Sequence, residues 1–149
     1  MTKEQQLPLI DAREATLAGL VPSLKASLNR AAKNWCDRRD LKREALLDRM
    51  NALAENAGVS LTAGNGSTSM AVFEKWLAPR DTTNLPGIVA VNVFCMVTGD
   101  NSPLAMMLGL HGCVIMGPED KRLRDYGAAM DQVKKANQLK RRLEAELNG

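Results

Sequence analysis

Aromatic side chains are scarce in this sequence: two Trp, two Phe and one Tyr among 149 residues. A β-sandwich of this size packs through aromatic and β-branched side chains, so their scarcity beside abundant Ala, Leu and Met favours helices joined by aliphatic contacts. The expected class is all-α. A single histidine, His111, leaves no Ser/His or Cys/His pair with an orienting partner, and with Cys113 it makes half a metal set at most. No catalytic residue, metal or cofactor is expected. The three cysteines, Cys36, Cys95 and Cys113, are odd in number and stand in apolar surroundings, which favours buried free thiols over disulfides. No apolar run approaches the ~18 residues of a membrane span, and Met1 to Gln6 carry charge where a signal peptide needs an apolar stretch. A soluble cytoplasmic protein with no small-molecule substrate is expected.

Charge is unevenly placed along a chain of net charge +3. Lys25 to Arg49 holds eight Lys/Arg against four Asp/Glu, whereas Met50 to Pro118 holds two against four. Glu119 to the end holds eight against six, and Met1 to Leu24 two against three. The positive charge thus flanks the middle of the chain instead of filling it.

Apolar periodicity divides the chain into 1–40, a helical arm; 41–117, a compact helical domain; and 118–149, one long helix. In the arm, Leu17, Leu20, Leu24 and Leu28 recur at helical spacing, and a helix is expected from about Ser23 to Trp35. Asp40 is placed to cap a second helix with Leu46, Leu47, Met50, Leu53, Ala54 and Ala57 on one face and Gly58 at its end. A flexible loop around Gly64-Asn65-Gly66 follows, and these glycines lack the Lys-Ser/Thr of a phosphate loop. Ser67, Thr68 or Ser69 can cap a short helix carrying Met70, Phe73, Trp76 and Leu77, stopped before Pro79. The run Ile88 to Thr98 is apolar on every side; its length, Pro86 before it and Gly99 after it favour a buried helix over a strand. Ser102 is placed to cap a short helix with Pro103 at its first position, and Pro118 opens one of about 30 residues, roughly 45 Å long. Along it, Leu123, Tyr126, Met130, Val133, Leu139, Leu143 and Leu147 form an apolar face suited to oligomerisation.

The segment Leu53-Ala54-Glu55-Asn56-Ala57-Gly58-Val59-Ser60 places a small Ala and a turn Gly as helix-turn-helix proteins do. The helix ending Phe73-Glu74-Lys75-Trp76-Leu77-Ala78-Pro79 follows, then an apolar helix ending Thr98-Gly99-Asp100, then Ser102-Pro103-Leu104. This order resembles the lambda-repressor-like helix-turn-helix fold of CII-type phage regulators and related small proteins of Mu-like prophages. It covers about Leu41 to Leu147, and it departs from that pattern where Val59 to Ser67 replaces a turn of a few residues.

The resemblance implies a phage or prophage transcriptional regulator that binds double-stranded DNA as an oligomer through the helix at about 68–78. Thr68, Ser69, Ala71, Val72 and Lys75 would then face bases, and Arg38, Arg39, Lys42, Arg43 and Arg80 would meet phosphates. Two plainer readings stand beside these roles: the hydroxyl cluster as a helix cap, and the basic cluster as a solvated face paired with Asp37, Asp40 and Glu44. The acidic middle supports an alternative, a protein-interaction or assembly factor that keeps a repressor-like fold without reading DNA.

Overall fold

The computed structural model describes residues 16–149 except Asn65, so the expectations for residues 1–15 and for Asn65 within the glycine loop lie outside the described residues. Among the described residues there is no strand; residues 16–18 are helical, and six further helices follow: α1 (Leu20–Arg39), α2 (Arg43–Ala57), α3 (Met70–Leu77), α4 (Ile88–Thr98), α5 (Ser102–Gly109) and α6 (Pro118–Asn148). They fall into two units, one ending at Val114 and the other comprising Ile115–Gly149. The chain is all-α with a long C-terminal helix. No described helix is long and apolar enough to cross a membrane.

In the first unit α1 lies at the centre, packed against α2, α3, α4 and α5. Leu24, Leu28, Ala31, Ala32 and Trp35 recur at three- and four-residue spacing along it, and all are buried. Segment 20–39 therefore belongs to the same core as the helices that follow it. From α2 come Leu46, Leu47, Met50 and Ala54; from α3, Phe73, Trp76 and Leu77; from α4, Ala90, Val91, Val93, Phe94 and Cys95. Four of the five aromatic residues are buried, and Phe73 meets Trp76 edge to face with ring centres 6.3 Å apart. Helix α4 buries Ala90, Val91, Val93, Phe94 and Cys95, whereas Ile88 and Met96 on its opposite face are exposed, so its lack of a polar stripe is not matched by burial on every side.

The helix ends show what stops each segment. Gly58 and Gly99 both adopt positive φ and close α2 and α4 through backbone bonds to the last turn. Asp40 departs from its expected role. It takes the left-handed conformation, φ 52 and ψ 47, and its N–H donates to the Cys36 carbonyl, so it terminates α1. Helix α2 begins three residues later, at Arg43, without a side-chain cap. Ser69 is the residue that caps α3, accepting from the Val72 N–H at 3.3 Å. At the start of α5, Ser102 is the first helical residue instead of its cap; Asp100 accepts from both its N–H and its hydroxyl, and these bonds, the hydroxyl's foremost, hold the Asp100 carboxyl below the usual range. Asp120 accepts from the Gly117 N–H where α6 begins, and its charge also suits the helix dipole.

One of the three cysteines also differs from expectation. Cys36 and Cys95 are buried, and burial pushes both thiols up; Cys113 is exposed. It lies beyond α5, where the chain no longer contributes to the core.

Candidate nucleic-acid interface

Helices α2 and α3 are the pair that the helix-turn-helix resemblance singles out, and the chain from Gly58 to Ser69 joins them. Leu61 anchors this connection in the core, and an open cleft of about 340 Å³, with Asn51, Glu55 and Ser60 among its walls, lies beside it on α2. The far end of the connection is fixed. Asn51 of α2 accepts from the Thr68 N–H at 2.9 Å and donates to the Thr68 carbonyl at 3.1 Å, a two-point clamp on one residue's backbone.

That clamp brings Thr68 inside. Its side chain is buried, and its hydroxyl has no partner among the described residues, so Thr68 is not presented to a ligand on the outer face. Of the other residues proposed to face bases, Ser69 and Ala71 are exposed and Val72 is half-buried against the core. Lys75 is exposed while its carbonyl is engaged from within.

The group that engages it is Lys25, fully buried on α1. Its Nζ donates to the carbonyls of Lys75, at 2.7 Å, and Asn84, at 2.8 Å. The Lys75 carbonyl belongs to the last turn of α3, where backbone acceptors lack helical partners and the dipole favours a cation. Lys25 thus fixes both the end of α3 and the chain that follows it. That chain is a tight Asp81 turn, in which the carboxylate accepts from the N–H and side chain of Asn84 and of Thr83. Those bonds, Asn84's above all, hold the Asp81 carboxyl well below the usual range.

The five cations proposed for phosphate divide in two. Arg43 is occupied: one nitrogen pairs with Glu74 Oε2 and another donates to Asn29 Oδ1, each at 2.7 Å, so a single guanidinium ties α2 to α3 and α1. It also neutralises the one carboxylate on α3. Arg38, Arg39, Lys42 and Arg80 are exposed and make no ion pair among the described residues. Arg39 stands over the Trp35 ring at 4.8 Å, and Arg49 of α2 stands at 4.9 Å from the same ring. Arg49 was not among the residues expected to meet phosphate. A Trp and an Arg four apart on one helix are visible in sequence, but the second arginine joins them only once α1 and α2 are packed.

On α6, Leu123, Tyr126, Met130, Val133, Leu139, Leu143 and Leu147 are between 48% and 85% exposed. At about 100° per residue, the patch Leu123–Val133 and the patch Leu139–Leu147 are centred roughly 120° apart around the helix. His111 and Cys113 are exposed, and no group of three His, Cys, Asp or Glu among the described residues converges on a metal-sized site. The chain matches no known protein family, no curated protein and no solved structure.

Proposed function

We propose that the protein is a DNA-binding regulator of the phage-repressor type, acting as an oligomer held together through α6. The observation that carries this reading is the pair of arginines on Trp35. Arg39 and Arg49 stand over one ring with no ion-pair partner among the described residues, within about 10 Å of each other, a spacing that suits neighbouring phosphates of a backbone. Arg38 and Lys42 add charge at the same α1–α2 corner. The helix order after α2 supports a lambda-repressor-like arrangement, with α3 presenting Ser69, Ala71 and Lys75 to duplex DNA and Arg80 beyond its end.

Fluorescence anisotropy with duplex DNA, scanned from 50 to 300 mM salt, tests the proposal. Binding is expected to weaken steeply with salt, and Arg39→Gln plus Arg49→Gln should flatten the log-log slope by about 0.9 for each phosphate that is no longer neutralised. No binding at 50 mM salt, or an unchanged slope in the double variant, would refute it.

One set of observations favours a second reading, an assembly factor without DNA readout. Thr68 is buried and Arg43 is engaged by Glu74, which leaves α3 with Lys75 as its only unpaired charge. The same anisotropy scan separates the two readings, because an assembly factor gives no DNA isotherm.

A further inference from the structure

We propose that α6 pairs with α6 of a second copy in the antiparallel sense, with the two-fold axis between Lys134 and Lys135. The proposal rests on the oligomer reading above and adds the partner's orientation and register. A 31-residue helix carrying two exposed apolar patches and no buried residue gains its stability from a partner. Three features of the sequence along α6 determine how that partner lies.

The first is charge. Pro118 to Val133 holds three Lys/Arg against four Asp/Glu, whereas Lys134 to Gly149 holds five against two. Parallel pairing sets each basic half against its own copy; antiparallel pairing sets it against the acidic half.

The second is the order of apolar residues. With the axis between Lys134 and Lys135, Leu123 lies opposite Leu147 to within one residue, Tyr126 opposite Leu143, Met130 opposite Leu139 and Val133 opposite Ala136. Each patch of one helix therefore lies level with the other patch of its partner. Lys134 and Lys135 both stand roughly 130° off the local apolar stripe, so neither is forced into the contact at the axis.

The third is size. Gly127-Ala128-Ala129, the smallest run on the helix, falls opposite Lys140-Arg141-Arg142, the bulkiest. Nothing lies within 4 Å of the position a Cβ would take on Gly127, so the long side chains have room to cross. Arg124 comes opposite the stretch that holds Glu144 and Glu146.

Light scattering and pulsed dipolar spectroscopy on the full chain test this. A nitroxide on Arg122→Cys, in a Cys113→Ser background that leaves only the two buried native thiols, reports the spacing of the N-terminal ends of α6. The antiparallel register gives roughly 40 Å, from 25 residues at 1.5 Å each and a helix spacing of about 10 Å. In the same background, Arg122→Cys with Asn148→Cys should cross-link between copies on mild oxidation. A spacing under ~20 Å with no such cross-link means a parallel pair; it overturns this inference and leaves the oligomer reading standing. A monomeric mass at 100 µM overturns both.

Discussion

Lys25→Met removes the amino group that joins α1 to the end of α3 and to the chain after it, while keeping nearly the same unbranched stem. Two carbonyls, of Lys75 and Asn84, lose their donor at 2.7 and 2.8 Å. A hydrogen bond to a charged group contributes about 1.5–3 kcal/mol, and a buried polar atom left without a partner costs about 1–3 kcal/mol. Taking a lysine head out of the core gives part of this back, since its own desolvation costs several kcal/mol. Methionine conserves volume, so no large cavity term enters. The net expectation is a loss of about 2–4 kcal/mol, a large part of the ~5–15 kcal/mol typical of a small domain. Urea unfolding followed by far-ultraviolet circular dichroism reads it as a fall of about 1–2 M in midpoint at unchanged slope. A Met variant with the wild-type midpoint, or a higher one, would show that the buried amino group is not what holds α3.

Two further outcomes separate neighbouring roles. Thr68→Val replaces a buried hydroxyl that has no partner among the described residues with a methyl of similar size; it should raise stability by up to about 1 kcal/mol in the same urea assay and leave DNA affinity unchanged, whereas a tenfold loss of affinity would place Thr68 on the bound face after all. Asp81 has a folded pKa below its unfolded value, so its contribution is fully present above about pH 4 and disappears as pH falls below that toward the folded value. Asp81→Asn should therefore lose less stability than wild type between pH 4 and 2.5 in acid titrations; parallel curves for the two proteins would exclude a role for this turn in acid unfolding.

Much of the fold was legible because its signals are local. The stripe on α2, the stop at Gly58, the α3 cap within Ser67–Ser69 and the Pro118 start of α6 each depend on residues within one or two turns, and the structure has them there, with Ala57 of the stripe exposed and Ser69 the cap among the three. Asp40 was misjudged for a related reason: a carboxylate before a helix looks like an N-cap, but the same residue in the left-handed conformation can end the preceding helix instead. The site was harder to read. Counting Lys25 and Arg43 among a basic flank treated charge as surface property, whereas both are engaged by partners 14 to 59 residues away. Thr68 faces inward because Asn51 holds its backbone, and nothing within a helical turn of Thr68 announces that.

Helix α3 has eight residues, fewer than a helix in water needs to persist by itself. Its start is tied down by Asn51 and Ser69, its middle by Arg43, and its end by Lys25 from a helix that precedes it by some thirty residues. The smallest portion of the protein that can present this face therefore begins before Leu24, not at Leu41. A fragment cut at the apparent start of the middle domain loses Leu24, Leu28 and Trp35 from its core along with the Lys25 tether. Such a fragment, assayed for DNA binding, would report on a helix that has unravelled.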